Sequence, residues 1–291
     1  MFLILAARTG FHTDALVQAF ARRERRAVVR PYESVVASLG AGPRLAAGDV
    51  ALDTVEGVVA RIIPNGSLEQ IIYRVDALHV LEDGGVPVMN PPRAIERTVD
   101  KFWTSTLLER AGLATPRTVV CERAEDAMLA FRELGDVVVK PLFGSMGLGM
   151  VRVSDDDVAW RVFRALEATR SVYYLQRTIA HDGRDVRVFV VGDRVLGAIE
   201  RRAPGWRTNL ARGGSPRAIS LPPDWEAMAL CAARAVGAEY AGVDLLPARD
   251  GTVYVLEVNG IPGWRGLQTA TSIDVAAAIV DHLLDVRLAG R

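Results

Sequence analysis

Asp244, Glu257 and Asn259 are the residues whose chemistry most needs an explanation. Asp244 sits in Ala-Gly-Val-Asp-Leu-Leu, and Glu257 and Asn259 close the run Val-Tyr-Val-Leu-Glu-Val-Asn. Both stretches read as short apolar strands that carry oxygen donors where Val or Leu would pack. Strand side chains alternate faces, so Glu257 and Asn259 point one way, with Val253 and Val255 preceding them on that face. If Asp244 lies on the paired neighbour, two carboxylates and one amide oxygen converge. Hard oxygen donors of this kind suit Mg²⁺, which keeps waters and shares its shell with substrate phosphates. Buried carboxylates without a cation would be costly. Taken alone, the triplet also suits an ordinary Glu on a half-exposed strand face.

Two further clusters narrow the choice. Lys140 ends the apolar run Val137-Val138-Val139 and opens a glycine-rich loop, Gly144-Ser145-Met146-Gly147-Leu148-Gly149. Glycines let backbone amides approach phosphate oxygens and adopt positive φ. The loop leads into another strand, Met150 to Val153, which argues against dinucleotide and P-loop fingerprints, since those open helices. A hairpin lid over a triphosphate fits better, and so does a plain turn. Between the loop and the carboxylates lies Asp185-Val-Arg187, whose polar residues share a face. Glu200-Arg201-Arg202 and the stretch Arg207-Thr208-Asn209-Leu210-Ala211-Arg212-Gly213-Gly214 follow. Arginines set among Gly and Asn resemble an anion-binding surface, because guanidinium donors match carboxylate and phosphate. A ladder of exposed salt bridges is the plain alternative.

The elements that must position these residues divide into three. Strands at 2–7, 27–31, 58–60 and 86–89, with helices at 11–24 and from Ser67, predict a small open α/β layer. A helix over 97–111 stops at Gly112. A second unit has strands 117–121, 136–140 and 150–153, helix 124–134, and a helix N-capped by Ser154. Long strands at 186–191 and 194–201, helix 224–236, the two donor-bearing strands and a helix near 273–285 complete the third. The 291 residues hold 35 Lys+Arg and 35 Asp+Glu, so no overall basic charge recruits nucleic acid. Two distant cysteines, Cys121 and Cys231, point to a reducing compartment. The opening Met-Phe-Leu-Ile-Leu-Ala-Ala is too short to span a membrane. A cytoplasmic protein is expected.

Taken in order, the motifs from Asn90 to about Asp285 resemble the ATP-grasp superfamily, and within it the RimK-like amino-acid ligases. They include Asp100-Lys101, Val138-Val139-Lys140-Pro141, the glycine loop, Asp185-Val186-Arg187, Ala198 to Ala203, Thr208 to Gly214, Ala241 to Asp244 and Leu256 to Asn259 with Pro262-Gly263. The resemblance implies a three-domain α/β (α+β ATP-grasp) fold: an N-terminal pre-ATP-grasp domain at 1–92, a central domain at 93–180 and a C-terminal domain at 181–291. ATP would lie between the last two. Lys101 and Lys140 would contact phosphates beneath the lid of Gly144, Ser145, Gly147 and Gly149, and Gln176-Arg177 would line the adenine hinge. Asp185 would hold the nucleotide, with Arg207, Thr208 and Asn209 beside it. Asp244, Glu257 and Asn259 would carry Mg²⁺, or Mn²⁺ in its place. Arg187, Arg202 and Arg212 would meet the substrate carboxylate and the transferring phosphate.

The implied chemistry is amide formation through an acyl phosphate. Asn-Gly-Ile-Pro-Gly-Trp-Arg-Gly after the metal ligands resembles the branch that ligates L-glutamate to tetrahydromethanopterin. The expected partners are therefore L-glutamate and a small carboxylate acceptor of the methanopterin or methanofuran type, in a homo-oligomer. Glutamylation of a protein tail and a non-catalytic nucleotide-binding regulator are the alternatives. The hinge departs from the family's common acidic-aromatic pattern. Trp206 and Trp264 are expected in loops, where they could stack on a flat acceptor or simply pack. Arg61 and Arg74 read equally as acceptor ligands or surface arginines, and His181 reads as surface.

Overall fold

The computed structural model describes residues 1–40, 44–144, 147–202 and 216–289. The chain opens with β1 (Phe2–Ala6), α1 (Phe11–Ala21), β2 (Ala27–Pro31), β3 (Val35–Ser38), β4 (Arg44–Ala47), β5 (Val50–Ala51), β6 (Val58–Ala60), α2 (Leu68–Asp83) and β7 (Val88–Met89). Four of these strands form a parallel sheet in the order β2-β1-β6-β7, with Ile4 facing both Val29 and Val59. The strand β1 is buried along its length, which is why it reads as an unbroken apolar run. The helix α2 starts where the sequence predicts, because Ser67 and Gln70 exchange side-chain and backbone bonds in a capping box. The small antiparallel sheet β3-β4-β5 was not anticipated.

Where one helix was expected over 97–111, two occur: α3 (Pro92–Val99) and α4 (Lys101–Arg110). Asp100 is extended between them (φ −90°, ψ 105°), and its carboxylate accepts from Trp103 N at 3.0 Å as the N-cap of α4. The break makes Lys101 the first residue of a helix.

The next elements are β8 (Thr118–Cys121), α5 (Ala124–Leu134), β9 (Val137–Lys140), β10 (Val151–Val153), α6 (Asp156–Ala168) and β11 (Tyr173–Arg177). Their antiparallel sheet has the order β10-β9-β11-β8, covered by α5 and α6 around a core of its own that includes Phe131, Val139, Phe163 and Leu175. Asp155, not Ser154, caps α6, accepting from Asp157 N and Val158 N at 3.0 Å each. The strand β11, where only hinge residues were expected, lies between β9 and β8.

The last elements are β12 (Arg184–Val191), β13 (Arg194–Arg202), β14 (Arg217–Ile219), α7 (Pro223–Val236), β15 (Tyr240–Pro247), β16 (Val253–Asn259), α8 (Arg265–Ala270) and α9 (Val275–Ala289). They build an antiparallel sheet of order β14-β13-β12-β15-β16. One face packs on α7 through Val186, Val188, Ala229 and Val258. The other joins the parallel sheet: Phe189, Ile199, Tyr240 and Trp264 share a core with Phe2, Ile4, Phe20 and the α9 residues Ile279 and Leu283.

Asn90 stitches these layers. Fully buried, it donates from Nδ2 to the carbonyls of Tyr240 and Gly260 and accepts at Oδ1 from Glu239 N (2.7 Å) and Tyr240 N (3.0 Å). Replacing it by Leu strands backbone groups away from water, at about 1–3 kcal/mol each. A loss of about 3 kcal/mol in urea unfolding is expected, and a change below about 1 kcal/mol would show that the backbone re-pairs. No helix among the described residues is long and apolar enough to cross a membrane.

Candidate functional site

A cleft opens between the central sheet and the β12–β16 sheet, enclosing about 1110 Å³ of atom-free space that includes open solvent. Its central-sheet wall carries Lys140, Gln176 and Arg177, and its roof carries Gly144 and Gly147; Lys101 enters from α4. Gly147 and Gly149 have φ of +69° and +74°, which side chains rarely adopt, so the loop needs glycine there. Lys101 Nζ donates to the Gly144 carbonyl at 2.9 Å and so ties the helix to the loop. Lys140 donates to the Gln176 side-chain oxygen, and Gln176 Nε2 reaches Thr118 Oγ1 at 3.1 Å. Gln176 thus acts as a buried relay rather than as a free hinge side chain.

Burial pushes the Lys140 amine down to about 8; Glu257 and Asp244 pull it up, and Lys101 adds to the depression. Its charge therefore fades as pH rises through that value, before phosphate is bound. The KM for ATP is expected to climb above about pH 8, and Lys140→Arg, charged throughout, to flatten that limb. A pH-independent KM in the wild type would assign phosphate binding to other groups.

The opposite wall is a lattice of charge. Arg187 grips Asp244 in a two-pronged contact, Nε to Oδ1 and Nη2 to Oδ2 at 2.7 Å each. Arg201 grips Asp185 in the same way at 2.6 Å and also approaches Asp244 Oδ2 at 3.0 Å. Asp185, Arg201 and Asp244 are all buried. Burial alone would raise the Asp244 carboxyl, but Arg187 and Arg201 outweigh it and hold it below the usual carboxylate range. Glu257 lies directly across from Asp244 in the β15–β16 pairing. Burial and then the Asp244 charge push its carboxyl upward, against Arg187, Lys101 and Lys140. Asn259 shares that face and donates from Nδ2 to the Gly242 carbonyl at 3.3 Å, which leaves its Oδ1 available.

Two bulges set which side chains face the cleft. Leu256 is the extra residue between the pairs Asp244–Glu257 and Leu245–Val255. Alternation breaks there: Val255 turns to the α7 face while Glu257 lines the cleft, so the expected Val253-Val255-Glu257-Asn259 stripe is corrected. In β13 the pairing jumps from Phe189–Gly197 to Val190–Val195, leaving Leu196 extra. That one-residue slip places Arg201 opposite Asp185 and turns Arg202 to the far face. Arg202, expected at the transferring phosphate, is exposed there and bonded to Glu200 at 2.6 Å; the arginine of β13 that lines the cleft is Arg201.

Other expectations also move. Asp185, expected at the nucleotide, lines the cleft with both oxygens engaged by Arg201. Trp264 is not a stacking platform but a core residue, 1% exposed and edge-on to His12. Arg61 and Arg74 are buried rather than on the surface. His181 is half-buried in the cleft lining and accepts at Nδ1 from Gly183 N at 3.2 Å. Ser145, Trp206, Arg207, Thr208, Asn209 and Arg212 lie outside the described residues.

The donor chemistry fits a divalent cation that arrives with phosphates. Neither Glu257 oxygen has a hydrogen-bond or ion-pair partner among the described residues, and Asn259 Oδ1 lies on the same face. Glu257 and Asn259 would hold such an ion, with Asp244 joining them when Arg187 leaves it and phosphate supplying further oxygens.

Comparison with known proteins points the same way. A model of the RimK-like ATP-grasp domain matches residues 98–283. The chain is 35% identical over 269 residues to the tetrahydromethanopterin:alpha-L-glutamate ligase of Methanosarcina acetivorans, covering 82% of this chain and 83% of that one. It is 37% identical over 227 residues to a probable alpha-L-glutamate ligase of Trichodesmium erythraeum, 76% of each chain. Among solved structures, a RimK domain ATP-grasp protein of Sphaerobacter thermophilus superposes with a TM-score of 0.76 at 25% identity, over 97% of this chain and 99% of that one. The ATP-grasp ligase PsnB, complexed with a minimal precursor, superposes at 0.77 with 22% identity over 98% of both chains.

Proposed function

The chain belongs to the RimK-like ATP-grasp family, and from that premise we propose that it ligates L-glutamate to a carboxylate of a small one-carbon-carrier cofactor, of tetrahydromethanopterin or methanofuran type. It is an ATP-dependent ligase. The observation that carries the reading is the Asp244–Glu257 pair facing Lys101 and Lys140 across one cleft. The named relatives supply the substrate class.

In the first step a substrate carboxylate oxygen attacks the γ-phosphorus of ATP; the new O–P bond forms as the bridging P–O bond breaks, and ADP leaves. The glutamate amine then attacks the acyl carbon; the C–N bond forms, the C–O bond to phosphate breaks, and the amine loses a proton to solvent. The residues act by position and charge rather than by covalent chemistry. Lys101 and Lys140 hold the phosphates. Arg201 stays on Asp185, and Arg187, half-buried against the cleft carboxylate Asp244, would turn from it to the acyl phosphate. Glu257 and Asn259, with Asp244, would hold Mg²⁺, which offsets the charge on the transferring phosphoryl group.

The test is an ADP-release screen of amino acids against pterin, furan and peptide acceptors, with mass spectrometry of the product. Glutamate-dependent release with a pterin or furan acceptor, and a mass gain of one or more glutamyl residues, is expected. Turnover confined to peptide acceptors would transfer the activity to a protein tail.

A further inference from the structure

The parallel sheet has a topological switch point. The chain leaves β1 through α1 to β2 on one side, then returns to β6 on the other. Open α/β sheets bind ligands in the crevice beyond the carboxyl ends of the two strands that flank such a point. Here the crevice lies between the residues after Ala6, which lead into α1, and those after Ala60.

Its chemistry is cationic and short of counter-charge. Arg61 is 3% exposed, yet among the described residues its donors meet only neutral acceptors: the Tyr240 hydroxyl at 3.0 Å and the Pro262 carbonyl at 3.1 Å. Its guanidinium lies 4.6 Å from the Trp264 ring centroid. Arg265 lies over Phe11, the first residue of α1, at 4.7 Å. Neither arginine has a carboxylate within ion-pair distance among the described residues. His12 accepts at Nε2 from Trp264 N at 3.2 Å, so its Nδ1 carries the proton. Burial and then the charges of Arg61 and Arg265 push the imidazole down to about 4, which keeps it neutral beside them. The buried Trp264 Nε1 is a further donor with no partner among the described residues. The acid of the first α1 turn, Asp14, is exposed. A buried guanidinium with no anion is costly, and an anionic ligand removes that cost.

The crevice also lies near Arg187, the partner of the cleft carboxylate Asp244. Arg61 bonds the Pro262 carbonyl, and a Cβ on Gly242 would meet both Pro262 at 3.0 Å and Arg187 at 3.5 Å. We propose that this crevice binds a substrate carboxylate that does not react, held by Arg61 and Arg265 with His12 donating from Nδ1. Assigning that carboxylate to a substrate rests on the ligase reading; the anion binding itself does not. The carboxylate belongs either to the incoming glutamate or to the acceptor.

Calorimetric titration of the nucleotide-free full chain with glutarate, a bare dicarboxylate, tests the site. Wild type is expected to bind it, and Arg265→Gln, at an exposed position, to bind about tenfold more weakly with Mg–ADP affinity unchanged. Arg61→Lys, which keeps the charge but loses the fork, is expected to weaken glutarate as well. In steady-state turnover, an Arg265→Gln rise in the KM for glutamate identifies the incoming amino acid, and a rise in the KM for the acceptor identifies the acceptor. Absence of glutarate binding in wild type, equal binding by Arg265→Gln, or a rise in the KM for ATP instead would each overturn the proposal. Arg265-dependent glutarate binding without ADP release on any acceptor would strike at the ligase reading alone.

Discussion

Glu257→Gln is expected to lower glutamate-dependent ADP release by about a thousandfold or more while leaving the fold at least as stable as wild type. Gln keeps the shape and one acceptor oxygen but removes the charge that a phosphate-bound divalent cation needs. The stability arm follows from the same electrostatics. Burial and the neighbouring Asp244 make the charged Glu257 unfavourable in the folded state, which is why its carboxyl is pushed upward. A neutral amide relieves both terms, so the thermal midpoint should hold or rise. Function and stability then move in opposite directions, as expected of a site kept for chemistry rather than for folding. Turnover within about threefold of wild type would mean that the cation is held elsewhere.

Arg201→Met should give the largest loss of stability. Arg201 makes two bonds of 2.6 Å to Asp185 and approaches Asp244 at 3.0 Å, with all three residues buried. Met fills similar space but removes the guanidinium that faces both carboxylates. Breaking a buried pair by deleting one partner costs about 3–5 kcal/mol, because a buried charge loses its compensation. Urea unfolding should show a loss of that size. The double variant Asp185→Asn with Arg201→Met should recover part of it, since the charge facing the lost guanidinium is gone. A loss under about 1 kcal/mol, or no recovery, would mean that water reaches these groups and screens them. Arg187→Met should cost less, because Arg187 is half-buried and Arg201 still faces Asp244.

Much of the scaffold could be read from the chain, because apolar periodicity and turn residues act locally. Asp244 and Glu257 face each other as expected, for the chain between their strands turns back at Asp250-Gly251. The bulge at Leu256 could not be read, since nothing in that strand's composition announces one extra residue. The one at Leu196 had a signal in Gly197 beside it, because a lone Gly in a strand often marks a bulge. Each exchanges the two faces of the strand beyond it, so the cleft receives Arg201 rather than the Arg202 that the family resemblance implied. A second signal was mutual: Asp185 and Arg187 share a face, and an Asp beside an apolar strand run calls for a cation opposite it. Trp264 does lie in the loop before α8, but of its two readings, stacking on an acceptor or packing, the structure shows packing. Its neighbours His12, Arg61 and Phe189 are distant in sequence, so its burial could not be read from the loop alone.

The core shared by α1, β1 and α9 also has a temporal consequence. As the chain is synthesised, the parallel sheet emerges first, but Phe2, Ile4 and Phe20 must wait for Ile279 and Leu283 before their apolar surface is covered. The central sheet, whose core is its own, can close as soon as β11 is out. The parallel sheet is thus sealed only by a helix far along the chain, α9 (Val275–Ala289), whereas the central sheet is sealed by its own neighbours.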